Sequence, residues 1–168
     1  MTPTSLEALE HGLSTWAARV SRREVLIEGE GGPPPASAYL AISLRSCSPM
    51  QRADVRIDPH TETVNALHRV TWRFSLYGGP AMADATRLLA SLWSAQRWRD
   101  LWRIAGLGEV GRLHNLAGLD IGRWRARVEF QLTLHAVLHL QSTAEFFVRQ
   151  PIDLHETDLG LIAHIAPD

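Results

Sequence analysis

Between Trp124 and Gln141 apolar and polar residues trade places at almost every step, and few architectures accommodate that rhythm over so long a stretch. Trp124, Ala126, Val128, Phe130, Leu132, Leu134, Ala136, Leu138 and Leu140 fall on one side. Arg125, Arg127, Glu129, Gln131, Thr133, His135, His139 and Gln141 fall on the other, with only Val137 out of place. Side chains on a strand alternate between faces, so the stretch reads as a β-strand with one dry face and one wet face. Strands in globular domains usually run about 3 to 10 residues. This one exceeds that norm, so it either bends partway or carries its far end to something outside the domain, such as a neighbouring subunit.

The chain of 168 residues is long enough to bury a core and is read as one α+β domain, 1–168. An apolar share of 45% excludes a disordered chain, and a mean hydropathy of −0.10 fits a soluble globular one. A net charge of −1 argues against a protein whose main work is gripping nucleic acid. No apolar run approaches the roughly 20 residues needed to span a bilayer. Met1–Glu10 is polar and acidic and lacks the order of a signal peptide. Cys47 stands alone, which excludes an intrachain disulfide and a cysteine zinc cluster. These features together predict a protein made and kept in cytosol-like conditions.

Thr4-Ser5-Leu6-Glu7 has the spacing of a capping box, and Leu6, Leu9, Leu13, Trp16, Ala17 and Val20 follow at helical spacing. Residues 5 to 21 are therefore expected to form an amphipathic helix, with a short strand at Val25–Glu28. Gly29–Ser37 contains three consecutive prolines and breaks regular structure. Tyr39–Arg45, Arg52–Asp58 and Val64–Tyr77 alternate as strands, the last with Val70, Trp72, Phe74 and Leu76 inward. Gly78-Gly79-Pro80 turns the chain into a helix striped by Ala81, Ala85, Leu88, Leu89 and Leu92. A second helical stretch is expected to run to Ala105 and to be capped by Gly106. Leu107–Arg123 is read as loop, and Ile152–Ile165 as the place of a last short strand. One polar face per strand predicts an antiparallel sheet with long strands, covered on one face by the helices.

Gly106-Leu107-Gly108-Glu109-Val110-Gly111 matches G-x-G-x-x-G, but a dinucleotide site needs a strand before it and a helix after it. The expected context is the reverse, so the match is discarded. His135 and His139 share a face and could offer two imidazoles to a metal, with Glu129 and His155 as conceivable further ligands. No HExxH context supports that, and solvated strand histidines explain the pair. No metal, cofactor or catalytic residue is expected. Trp93, Arg97, Trp98, Arg99, Trp102 and Arg103 interleave aromatics with cations, as single-strand binders do. On a helical wheel, however, Trp93, Trp98, Leu101, Trp102, Ile104 and Ala105 form one apolar arc expected to face the core. The arc is wider than a single packing surface needs, so part of it is expected against another subunit.

The order of elements, with GGPPPASAYLAISL, the strand end Trp72-Arg73-Phe74-Ser75-Leu76-Tyr77-Gly78, the helix PAMADATRLLASLW and the strand start Trp124-Arg125-Ala126-Arg127-Val128-Glu129-Phe130, resembles the neck or tail terminator proteins of contractile-tailed bacteriophages. The likeness covers nearly the whole chain and is weakest over Asp153–Asp168. It implies a virion structural protein and not an enzyme. It further implies a homo-oligomeric ring, a hexamer, that caps the tail tube and joins the tail to the head-proximal connector. Its partners would be other copies of itself, tail tube, sheath and connector proteins. Genomic DNA would only pass through the channel, no membrane would be involved, and assembly would take place in the host cytoplasm. Trp98, Trp102, Arg125, Arg127 and Glu129 are the expected subunit contacts, chosen for residue type and expected exposure. The competing readings are another tail completion or baseplate component, a metal-dependent enzyme using His135 and His139, and a nucleic-acid binder using the Trp/Arg segment.

Overall fold

A computed structural model describes residues 2–28, 35–58, 61–94, 101–120 and 123–143, together with two short strands near the C-terminus. Helix α1 (Leu6–Ser21) opens the chain, followed by β1 (Glu24–Ile27), β2 (Tyr39–Pro49), β3 (Asp54–Asp58) and β4 (Thr61–Tyr77). Helix α2 (Ala81–Leu92) comes next, then β5 (Ala105–Val110), β6 (His114–Asn115), β7 (Gly118–Asp120), β8 (Arg123–Arg125) and β9 (Arg127–Thr143). The strands β10 (Leu154–His155) and β11 (Ile162–Ala163) pair with each other, so the single strand expected in that region is two.

The frame of the molecule is one long ladder. β4 and β9 are each 17 residues and pair antiparallel along their whole length, from Thr61↔Thr143 to Tyr77↔Arg127. The far end of the long strand is thus completed within the chain, because β4 starts three residues earlier than its periodicity suggests. β2 and β3 flank β4 one after the other, β1 adds to β2 in parallel, and β5 and β6 line the other side of β9. The sheet is therefore mixed, antiparallel except at β1. The predicted strand over Trp124–Gln141 is interrupted at Ala126, whose carbonyl accepts from the Gly78 N–H at 2.8 Å instead of serving a ladder. Arg123–Arg125 pairs separately with β7.

Alternation decides which face is buried. Val70, Trp72, Phe74 and Leu76 on β4 lie with Val128, Phe130, Leu132, Leu134 and Ala136 on β9 under the two helices. Phe74 stacks on its cross-strand partner Phe130 at 4.9 Å between ring centroids, and Trp16 of α1 meets Phe74 edge-on at 6.0 Å.

The N-cap of α1 is Ser5, whose hydroxyl accepts from the Ala8 N–H at 3.0 Å, and not the expected Thr4. Thr4 is drawn off by tertiary pairing, bridging Leu138 on β9 as a parallel strand residue. Gly78 and Gly79 turn the chain from β4 into α2 at φ +71° and +55°, a region costly for side chains. Gly106 is no helix cap: it pairs with His135 inside β5. The glycine run that imitates a dinucleotide motif lets an edge strand bulge against β9, where a Cβ on Gly108 would stand 2.9 Å from the Thr133 carbonyl oxygen. The stretch expected as loop after Leu107 is largely strand.

Candidate assembly surface

The wet side of the ladder concentrates its charge at one end. Tyr39 and Tyr77, cross-strand partners on β2 and β4, stack at 4.7 Å. The Arg125 guanidinium lies 6.0 Å over the Tyr39 ring, and Arg127 lies 5.2 Å over Tyr77. Arg127 pairs with Glu129 two residues along the same face, and the Ser75 hydroxyl donates to that carboxylate at 2.9 Å. Arg73 reaches across to Glu28 at 3.0 Å. Burial alone would raise the Glu129 carboxyl, but hydrogen bonds from Arg127 and Ser75 outweigh it and hold the group below its ordinary value of 4.5. Hydrogen bonding to Ser43 and then Arg73 lowers Glu28.

These contacts carry a pH dependence. A carboxyl whose folded value lies below its unfolded one stabilises above about pH 4.5, and that contribution is lost as pH falls through the lower folded value. Thermal melts from about pH 6 to about pH 3 are expected to show Glu129→Gln losing less stability on acidification than the parent protein.

Arg125, Arg127 and Glu129 are therefore brought together by the structure, joined by Tyr39, Tyr77, Arg73 and Glu28. Sequence reasoning missed the tyrosines because their partnership is set by β2–β4 register, though their alternation with inward residues was visible. Trp102 does not join this group. It belongs to the segment whose Leu101 and Ile104 lie against Gly12 of α1, in the helix layer. Trp98 lies outside the described residues. The helical wheel is corrected in part: Leu101 and Ala105 are buried, but Trp93 is 77% and Trp102 47% exposed. α2 ends at Leu92 and β5 starts at Ala105, which bounds the single helix that the wheel assumes on both sides.

The dry face of the sheet outruns the helices. Near the Thr61↔Thr143 end of the ladder, Val55, Val64 and Leu140 sit side by side across β3, β4 and β9, in register and on the core side. Leu140 is 66% and Val55 49% exposed. The next row, Ala66 opposite Leu138, is already part of the core, so the exposed row marks its border. An exposed apolar row on adjacent strands, covered by no helix among the described residues, is an incomplete core.

At the opposite end a buried ion pair fixes the helices to the sheet. Arg23, just past α1, donates to Asp84 of α2 through Nε at 2.9 Å, and also to the carbonyls of Tyr77 and Gly78 at 2.8 and 2.9 Å. Neither partner was legible as a pair, being 61 residues apart.

His135 and His139 share the wet face, and the His139 ring is hydrogen-bonded with Asn65 at 3.0 Å. His155 contributes no described side chain. No group of three or more His, Cys, Asp or Glu side chains is gathered for a metal among the described residues. No helix among them is long and apolar enough to cross a membrane.

A family model described as phage neck terminator protein matches residues 7–158. No curated protein matches the chain. The matched span takes in both helices, the full ladder and β10.

Proposed function

Since the chain belongs to the phage neck terminator family, whose members are structural components of the virion neck, we propose that it works by closing head-to-tail with copies of itself into a hexameric ring. That ring ends the tube of a contractile tail and joins it to the connector beneath the capsid. Tube, sheath and connector proteins are its other partners, DNA passes through its channel, and assembly takes place in the host cytoplasm. The observation that carries this reading is the Val55–Val64–Leu140 row, exposed at the border of the core near one end of the ladder. Contacts between identical subunits that are not two-fold symmetric generate rings when the rotation closes, and an exposed apolar row gives such a contact its driving force. The cluster of Arg125, Arg127 and Glu129, and Trp102 in the helix layer, are the further contacts proposed, in keeping with the favour of aromatics and arginine at interfaces. Trp98 is proposed with them on residue type alone.

Purified protein, alone or with tail tube, is expected to give ring particles by electron microscopy and a multi-subunit mass by light scattering. Leu140→Asp alters a largely exposed side chain, so its melting temperature should stay close to the parent's while the multi-subunit mass drops by several-fold. A parent chain that stays monomeric across concentration, with no ring on tail ends, would overturn the reading.

A further inference from the structure

The end of the molecule that carries Arg23 and Asp84 also holds a cavity of about 460 Å³ lined by Arg19, Val20, Arg22 and Arg87. Its described lining is cationic. Asp84 is already shared by Arg23 at 2.7 Å and Arg87 at 2.8 Å. Arg19 complements the C-terminal dipole of α1 and is engaged in an interaction of its own. The Arg22 side chain is exposed and makes no ion pair among the described residues. Arg19, Arg22 and Arg87 line the cavity, beside an Asp84 that Arg23 and Arg87 already share, and a concave cationic surface of this kind fits a carboxylate-bearing segment.

One such segment belongs to the chain itself. Residues 144–168 carry Glu145, Asp153, Glu156, Asp158 and Asp168 against a single cation, Arg149. In a chain whose net charge is −1 overall, that leaves residues 1–143 basic. Glu156 and Asp158 fall in sequence between β10 and β11.

Position decides which copy's segment can arrive. Arg87 of the cavity pairs with Asp84, which pairs with Arg23, and Arg23 in turn holds the Tyr77 and Gly78 carbonyls at the Tyr77↔Arg127 end of the ladder. The acidic segment departs from Thr143, at the other end of β9. Seventeen residues at about 3.3 Å each set the two ends roughly 50 Å apart. Fully extended, the chain after Thr143 brings Asp153 no further than about 35 Å and Glu156 no further than about 45 Å, and of the three only Asp158, drawn completely taut, reaches about 50 Å. A molecule with a cationic cavity at one end and an acidic segment leaving from the other meets its complement on the next copy.

Resting on the head-to-tail assembly proposed above, we infer that the Arg22–Arg87 cavity of each subunit receives the acidic 153–158 segment of a neighbouring subunit. The contact is heterologous, which is the kind that closes rings, and being electrostatic it weakens with salt.

Two measurements on the full-length chain test it. A labelled synthetic peptide of residues 151–168 is titrated with full-length protein and followed by fluorescence anisotropy. Saturable binding is expected, weakened at least about ten-fold on raising salt from about 0.1 to about 0.5 M and by a similar factor in Arg22→Glu. In parallel, self-association is measured for Arg22→Glu, for the triple variant Asp153→Arg, Glu156→Arg, Asp158→Arg, and for the chain carrying all four changes. Each reversal alone is expected to weaken association, and the combination to restore it, a recovery that misfolding cannot produce. Peptide that does not bind, or reversals that leave association at the parent's level, overturns the inference while rings seen by microscopy keep the ring reading alive. Peptide binding to a parent chain that never forms rings upholds the cavity's specificity and removes the ring.

Discussion

An Asp84→Ala variant is expected to lose about 3–5 kcal/mol of unfolding free energy in urea titration, the cost of leaving one member of a buried pair without its partner. The side chains of Arg23 and Asp84 are only 4% and 8% exposed, so water cannot replace what is removed. Arg23 is bonded to Asp84 and to the backbone carbonyls of Tyr77 and Gly78, so this pair couples α1, α2 and the end of β4. Arg23→Met is expected to be comparably damaging, because it orphans Asp84 and those carbonyls together. Pairing Arg23→Met with Asp84→Leu should recover part of the loss by removing both charges, which is the usual outcome when a buried pair is replaced as a unit. An Asp84→Ala protein with the parent's denaturation midpoint would show that the pair does not hold the layers together. The same variant removes the carboxylate that pairs with Arg87 of the cavity. Binding of the 151–168 peptide should therefore strengthen in whatever fraction remains folded.

Phe74→Ala is expected to cost about 3–5 kcal/mol, the range for removing a large aromatic from a packed interior. Phe74 is fully buried, stacked on Phe130 of β9 and met edge-on by Trp16 of α1, so its loss empties a space between sheet and helix. At about 2–4 °C per kcal/mol for a chain of this size, that is a fall in melting temperature of about 6–20 °C. Leu140→Ala provides the contrast. It removes an apolar side chain from the same sheet face, but one that is 66% exposed, and it should stay within about 0.5 kcal/mol of the parent as a monomer. Equal effects for the two variants would mean that the far half of the ladder is packed in the isolated chain, and would remove the basis for an incomplete core.

Much of the fold was legible because periodicity is a local property. α1, α2, β4 and β9 lie close to where spacing put them, since each needs only one consistently apolar face to be recognised. Errors collected where partners override local preference. Thr4 left its capping position for Leu138, and Gly106 was taken into β5 by His135. Trp93 and Trp102 are exposed instead of core-facing: α2 ends at Leu92, before Trp93, and β5 begins at Ala105, just after Trp102.

The family likeness, carried by the strand ends around Trp72–Gly78 and Trp124–Phe130, was also readable before any coordinates, and the match over residues 7–158 agrees with it. The surfaces were not readable. That Arg125, Arg127 and Glu129 share one end of the ladder with Tyr39 and Tyr77 depends on register. That Arg19, Arg22 and Arg87 surround one cavity depends on how two helices pack.

Sequence alone determined that this chain makes an amphipathic sheet with helices on its dry side, because alternation and helical spacing are written residue by residue. Only the tertiary structure decided how far the helices cover that sheet, where the uncovered apolar row falls, and which end gathers positive charge. Those outcomes depend on which distant segments pair, and no single stretch of the chain encodes that.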